Sequence, residues 1–327
     1  MKPQRGLLAV GMLILLSTGA YSEDKNSKKD PSAKASASVK AFLGRWDLTL
    51  KAPEREYPSW LEISSDDSHL KAQMVGRWGN ARPLPRIELS EGQLTFISPK
   101  EEEARKEDMV FKAKLVRNSL VGNTTGPDGT PWAFTGQRAP SLNRKDTQHW
   151  GKPVQLFNGK DLTGWEPDKA NPTAVWKVQD GALISPGHGP ELINDHKFED
   201  FKLHIEFNYG PNSNSGIYLR GRYEVQVEDN SIQEPPSHHT GGVYGFLAAS
   251  PDMPRKPGEW QTFDITLVGR TITVVQNGQT IIDNKEIPGI TGGALDSHEE
   301  LPGPIYLQGS EDGRIAYRNI VLTPARK

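Results

Sequence analysis

The sequence predicts an all-β protein in two parts, a small meander barrel over residues 41–138 and a larger two-sheet jelly-roll sandwich over residues 153–325. Three observations carry this reading. Apolar residues recur at every second position in short runs, the period of a strand with one face in a core. Turn formers are abundant, with 32 Gly and 25 Pro among 327 residues. No segment of either part shows the three-to-four-residue apolar spacing of an amphipathic helix. With 35% hydrophobic and 24% charged residues and a mean hydropathy of -0.61, the chain reads as globular and not membrane-spanning.

At the N-terminus, Lys2 and Arg5 precede an apolar run from Leu7 to Leu16, and small residues from Ser17 to Ser22 lead to Glu23. This is the layout of a secretory signal, predicted over 1–22, and the apolar run is too short to cross a bilayer. It predicts an exported protein, periplasmic or extracellular. No cysteine follows the run, so no lipid anchor is expected. Residues 23–40 contain almost no large apolar side chain and cannot offset the entropy of ordering, so they are expected to form a disordered linker.

From Phe42 onward the runs GRWDLTLK, SWLEIS, HLKAQMVGR, RIELS, QLTFIS, DMVFKAKLV, NSLVGNTT and PWAFTGQR read as sequential strands. Sequential strands joined by short turns predict a meander that curls into a barrel. The opening Gly44-Arg45-Trp46 and the late Arg138 resemble the start and finish of lipocalin-like barrels, in which an arginine packs over the tryptophan. The charged run Lys100 to Lys106 reads as one helical turn or an exposed loop, solvated in either case. Residues 139–152 begin with Ala-Pro and are polar, marking a linker.

The second part contains DFKLHIEFNY, NSGIYLR, RYEVQVED, WQTFDITLVG, RTITVVQNGQTIID, GPIYLQG and RIAYRNIVLT. Asn277-Gly278 between two β-branched runs predicts a two-residue hairpin turn, which needs positive φ. In YEVQVE the apolar set is Tyr223, Val225 and Val227, so Glu224, Gln226 and Glu228 share the other face. Likewise Ile217 and Leu219 point inward and Tyr218 outward. A two-residue loop between these strands would mix the faces, whereas an odd-length loop around Gly221 sets Leu219 opposite Tyr223 and Tyr218 opposite Glu224. In DFKLHIEF the same parity turns Glu206 away from Phe201, Leu203, Ile205 and Phe207. The prediction is one polar sheet face carrying Glu206, Tyr218, Glu224, Gln226 and Glu228, with Arg220 at its rim. Crowded carboxylates beside an arginine acquire different proton affinities, as acid/base chemistry requires.

Several function classes are excluded or weakened. Zero cysteines exclude disulfides, zinc-thiolate and iron-sulfur sites and thiol nucleophiles. Residues 1–150 carry a formal charge of +5 and the remainder -7, and no basic run is interleaved with aromatics, so nucleic-acid binding lacks its electrostatic term. No nucleophile elbow and no Gly-rich loop opening a helix is present. His238 and His239, near acidic residues, make a divalent metal possible, although adjacent histidines lack the usual ligand spacing; no other cofactor is implied.

The runs LFNGKDLTGW (Leu156 to Trp165), VWKVQDGAL, DFKLHIEF, NSGIYLRGRYEVQVED, GGVYG, PGEWQTFDITLVG, NGQTIID, GPIYLQG and RNIVL follow one another in order. Together they resemble the 3-keto-disaccharide hydrolase family, which includes 3-keto-glucoside 1,2-lyases and 3-keto-2-hydroxyglucal hydratases. The resemblance covers about 153–325 and not the first part. It implies a concanavalin A-like jelly roll that cleaves 3-keto-glycosides by removing the C2 proton, eliminating at C1 and adding water. Such a site needs a base, an enediolate stabiliser and an acid. On the family pattern, Arg220, Glu224 and Gln226 match the polar strand motif, Asn214 and Tyr218 the NSG-I-Y segment, Tyr244 the G-Y-G loop and Gln308 the final L-Q. Glu224, Arg220 and Glu206 are the candidate catalytic residues. Asn214, Tyr218, Gln226, Tyr244, Gln308 and His239 are candidate substrate-binding residues.

One departure stands out: the family often carries a histidine after the final L-Q, whereas Gln308 is followed here by Gly309, Ser310 and Glu311. His239 and Glu311 are the replacements at hand. Two rival readings share the fold. One is a non-catalytic carbohydrate-binding protein. The other is a retaining glycosidase using Glu224 and Glu228, two apart on one strand and therefore about 7 Å between Cα atoms. Every motif residue lies after Leu156, which predicts that the first part is dispensable for the chemistry.

Overall fold

The computed structural model describes residues 39–66, 69–100, 106–144, 149–168, 176–187, 189–230, 234–253, 256–310 and 312–326. The signal read at 1–22, nearly all of the 23–40 linker, residues 101–105 of the charged run and Glu311 lie outside them. Strands supply nearly all the regular structure. No helix among the described residues is long and apolar enough to cross a membrane.

The first unit is one antiparallel sheet of β1 (Gly44–Lys51), β2 (Glu56–Asp66), β3 (His69–Val75), β4 (Arg82–Pro83), β5 (Ile87–Ser90), β6 (Gln93–Ser98), β7 (Met109–Val116), β8 (Ser119–Thr125) and β9 (Pro131–Arg138). Its order is β4-β3-β2-β1-β9-β8-β7-β6-β5. This is a curled meander in which β1 pairs with β9 and the end strands β4 and β5 are not joined by a ladder. Alternation sorts the side chains as expected: in β7, Met109, Phe111 and Ala113 are buried while Val110, Lys112 and Lys114 are exposed. The enclosed core stacks Phe96 on Phe111 at 4.7 Å, and Phe134 meets both edge-on. Arg138 packs 3.8 Å over the Trp46 ring and donates to the carbonyls of Ala41 and Leu43. The guanidinium thus ties the entering chain to the last strand through a cation–π contact.

The second unit contains β10 (Val154–Gln155), β11 (Trp165–Pro167), β12 (Lys177–Gln179), β13 (Ala182–Ser185), β14 (Leu192–Asn194), β15 (Phe201–Tyr209), β16 (Asn214–Leu219), β17 (Tyr223–Glu228), β18 (Gln261–Val268), β19 (Thr271–Gln276), β20 (Gln279–Glu286), β21 (Tyr306–Leu307) and β22 (Ile315–Pro324). They form a jelly-roll sandwich. The larger sheet runs β12-β13-β22-β15-β18-β19-β20, with β10 beside β22, and the smaller runs β11-β14-β21-β16-β17. Between them Phe201, Leu203, Ile205, Phe207, Phe263 and Ile265 face Ile217, Leu219, Tyr223, Val225 and Val227 in one apolar core. Asn277 (φ 50°) and Gly278 (φ 82°) make the hairpin turn between β19 and β20. The β16–β17 hairpin has the odd loop Arg220-Gly221-Arg222, with Tyr218 opposite Glu224 and Leu219 opposite Tyr223.

The two units share a core. Trp60 and Val75 of the first unit belong to the apolar cluster of the sandwich, and Trp60 meets Phe246 edge-on at 5.3 Å. Gly289 lies so close to this indole that a Cβ would stand 2.1 Å from Trp60 Nε1; only glycine permits the contact. Arg45 pairs with Glu286 at 2.7 Å, and the Thr49 and Ser297 hydroxyls share a 2.6 Å hydrogen bond. Deeper in the joint, fully buried Glu299 accepts from Tyr223 Oη at 2.6 Å and from Arg270 Nη1 at 3.1 Å. Asp47 of the first unit is buried beside it. Desolvation and the neighbouring Glu299 charge push its carboxyl up to about 9, which favours its protonated form in the folded state.

Candidate active site

The outer face of the smaller sheet carries the polar residues that alternation sorted out of the core. Tyr306 on β21, Tyr218 on β16 and Glu224 on β17 are cross-strand partners, forming one row across three strands. The Tyr218 and Tyr306 rings stack at 4.3 Å. Tyr218 Oη lies 2.9 Å from Glu224 Oε2 and 2.8 Å from the Gly292 carbonyl. It has one proton and donates to one acceptor at a time. A Cβ on Gly216 would stand 2.0 Å from Glu224 Oε1, so this glycine leaves the space its neighbour's carboxylate fills.

Two further rows continue the face. Gly216 lies opposite Gln226 and Asn214 opposite Glu228. Gln226 Nε2 donates to Asn214 Oδ1 at 3.2 Å and to Glu228 Oε2 at 3.3 Å. Burial pushes the Glu228 carboxyl up to about 7. Gln226 Oε1 and Glu228 Oε1 are buried without a hydrogen-bond partner, polar capacity that a native fold seldom leaves unused.

This face is walled along its β17 edge. The segment after the 3-10 turn Pro236–His238 folds along β17, with Tyr244 N donating to the Glu224 carbonyl at 3.0 Å and Gln226 N to the Gly242 carbonyl at 2.9 Å. Tyr244 stacks on His238 at 4.2 Å. The remaining space is a cavity of about 620 Å³ lined by Asn214, Tyr218, Glu224, Tyr244, Tyr306 and Gln308, with Glu191 and Trp78 at its side. That volume suits a small organic ligand.

The fold therefore gathers five of the sequence-predicted residues, Asn214, Tyr218, Glu224, Tyr244 and Gln308, around one cavity, with Gln226 buried in the same face. Three others lie elsewhere. Arg220 sits in the β16–β17 loop at φ 53°. A left-handed residue leaves the strand's two-residue period, so parity no longer predicts its direction. Its guanidinium is buried, donating to Tyr223 Oη at 2.8 Å and the Gly269 carbonyl at 3.0 Å. Glu206 does point away from the core, but on β15 of the other sheet, where it accepts from Arg318 at 2.7 Å and from Asn319. Partial burial opposes ionisation there, and the Asn319 and Arg318 hydrogen bonds outweigh it, holding the carboxyl below its usual range. The predicted common face of Glu206 and Glu224 is corrected: parity says outward, not which of two outward faces.

His239 bonds Asp252 at 2.9 Å and the Glu234 carbonyl at 3.1 Å, and His238 bonds Glu234 at 3.2 Å. Neither lines the cavity. No cluster of three or more His, Asp or Glu suited to a metal ion occurs among the described residues.

Several wall residues escaped the sequence reading, among them Tyr306, Glu191, Trp78 and Gly79. Tyr306 obeys the parity that identified Tyr218, since Ile305 and Leu307 flank it as inward residues, and could have been found that way. Glu191 borders the cavity; burial pushes its carboxyl up, and Asp168 adds to the shift. It shares a hydrogen bond with the Tyr306 hydroxyl. Trp78 and Gly79 come from the first unit, so that unit does not stand apart from the site as the position of the motifs suggested. An isolated tryptophan in a turn gives no local sign of what it will face.

A sequence profile described as the 3-keto-alpha-glucoside-1,2-lyase-like domain matches residues 152–323. A curated 3-keto-disaccharide hydrolase of Bacteroides thetaiotaomicron is 23% identical over 166 residues, which is 40% of this chain and 57% of the relative. The chain thus spans little more than half the length of that relative. Among solved structures, a candidate glycosyl hydrolase of Parabacteroides distasonis is 29% identical with a TM-score of 0.45, covering 55% of this chain and 92% of its own. A second from the same organism is 26% identical with a TM-score of 0.42, covering 53% and 98%.

Proposed function

Because the chain belongs to the 3-keto-alpha-glucoside-1,2-lyase-like family, we propose that it cleaves glycosides oxidised at C3. The observation that carries this reading is the buried Glu224 carboxylate, held by Tyr218 at 2.9 Å and bordering the cavity. A C3 ketone acidifies the proton on C2. Glu224 removes that proton, and the electron pair passes into the C2–C3 enediolate. Once Glu224 carries that proton, the Tyr218 hydroxyl is released from it and donates to the enediolate oxygen; burial, with the Glu224 charge next, raises its hydroxyl well above the usual phenol range, so it keeps its proton. The C1–O bond then breaks, and the departing oxygen takes a proton from Glu191, which burial keeps protonated to higher pH than a free glutamate. Addition of water across the resulting C1–C2 double bond, hydroxyl to C1 and proton to C2, makes the net reaction a hydrolysis.

Ordinary glycosides lack the acidic C2 proton. General-base assistance contributes only ~10²- to 10⁴-fold, too little to remove an unactivated one, so they are expected to be inert. The test is incubation of the full chain with 3-keto-trehalose or another 3-keto-glucoside in deuterated buffer, following the transient enone absorbance and the released sugar. Deuterium at C2 of the product supports elimination and hydration. Cleavage of unoxidised glucosides, with a covalent sugar trapped on Glu224 by a fluorosugar, would instead establish a retaining glycosidase. Sugar binding without any turnover would leave a lectin.

A further inference from the structure

A second cavity of about 770 Å³ opens between the two units. It shares Trp78, Glu191, Gly293 and Tyr306 with the first, so the two adjoin along these residues. Its outer wall belongs to the first unit, outside the matched family segment. Trp78 is 48% exposed, unusual for a residue with so much apolar surface, and presents its indole to the cleft. Beside it the guanidiniums of Arg55 and Arg77 lie 4.5 and 4.9 Å from the centroid of Tyr57, and that of Arg55 also stands 5.8 Å from the centroid of Trp78. The opposite wall supplies Asp168 and Glu191.

We infer that this interdomain cleft is the subsite for the leaving group of the substrate, and that its ligand is an uncharged pyranose seated on Trp78. The inference rests on the proposed elimination only for calling the ligand a leaving group. Three features select a sugar ring. An exposed indole offers a flat apolar surface to the C–H face of a pyranose. Guanidinium donors and carboxylate acceptors on facing walls match hydroxyls, which both donate and accept. Three carboxylates, Glu54, Glu56 and Asp168, beside the Glu191 carboxyl and against Arg55 and Arg77 leave no surplus positive charge to attract an anion. Glu191, at the junction of the two cavities, stands where a bond joining the two rings would lie.

Trp78→Ala opens no buried void, because the ring is half exposed, and Trp78→Phe keeps a smaller stacking surface. In the full chain, kcat/KM of Trp78→Ala should fall about tenfold further for a 3-keto-disaccharide than for methyl 3-keto-glucoside, the size of one aromatic contact, and Trp78→Phe should recover part of the difference. Equal losses on the two substrates would overturn the subsite. Saturation-transfer NMR with free glucose gives a readout independent of turnover: wild type should bind and Trp78→Ala should lose the signal. Absence of glucose binding to wild type, or equal binding by both, overturns the proposal. No turnover on either substrate, with Trp78-dependent glucose binding retained, removes the elimination chemistry and leaves the sugar subsite standing.

Discussion

Strands β7 and β17 carry the same kind of alternation and have opposite fates. In β7, Met109, Phe111 and Ala113 enter the core while Val110, Lys112 and Lys114 meet solvent. In β17, Tyr223, Val225 and Val227 enter the core, and Glu224, Gln226 and Glu228 are buried as well. A period of two says only that a strand has two unlike faces. Whether the polar face is a surface or a site depends on what the rest of the chain lays over it: here the segment around Tyr244, the loop carrying Gly292 and Gly293, and Trp78 of the first unit.

The strongest way to break this comparison is to change equivalent polar positions on the two strands. Glu224→Gln should lower kcat on a 3-keto-glucoside by ~10²- to 10⁴-fold, the value of a general base, while sugar binding by NMR is retained. Lys114→Gln on β7 should leave stability within about 0.5 kcal/mol and turnover unaltered. Comparable activity in Glu224→Gln and wild type would remove Glu224 from the chemistry.

Two buried aromatics sharpen the contrast next. Trp60→Ala and Phe111→Ala should each cost about 3–5 kcal/mol by denaturant titration, as large-to-small core changes do. Only Trp60 packs between the units, so only its loss should also weaken glucose binding in chains that remain folded. A smaller effect is expected for Tyr218→Phe. It removes the hydroxyl between Glu224 and the Gly292 carbonyl, costing about 1–3 kcal/mol where a buried partner is left unsatisfied, and should depress kcat more than it raises KM.

The mildest test uses pH. Burial raises Glu228 to about 7, so the folded state prefers its protonated form. Its contribution to stability is full below the ordinary glutamate value near 4.5 and is lost as pH rises through 7. Melting temperature should decline across that window, and Glu228→Gln should flatten the decline. Asp47, raised to about 9, extends the same sign of dependence from its ordinary value near 3.8 up to about 9, and Asp47→Asn should flatten that part. A decline between pH 5 and 8 that is the same in wild type and in both variants would contradict both assignments.

The β16–β17 hairpin was legible in detail, because face parity admits only an odd loop and so pairs Tyr218 with Glu224. Arg220 was not, since its left-handed backbone breaks the period on which the reading depended. Glu206 failed for a different reason, as its strand is correct and its sheet is not.

Alternation, turn chemistry and the pairing of neighbouring strands follow from the sequence because they arise within a few residues, from the direction of successive Cβ atoms and the few residue types that accept positive φ. They determined the all-β class, the Asn277-Gly278 turn and the outward set on β17. Only the tertiary structure decided which outward face is covered, since that rests on contacts between residues distant in sequence. Arg318 meets Glu206 across 112 positions, Thr49 meets Ser297 across 248, and Trp78 and Gly79 reach a cavity whose other lining residues begin more than a hundred positions later. The last two form because burying apolar surface on Trp60 and Val75 holds the two units together, and that force is non-directional, so the sequence does not say which partner a buried side chain will meet.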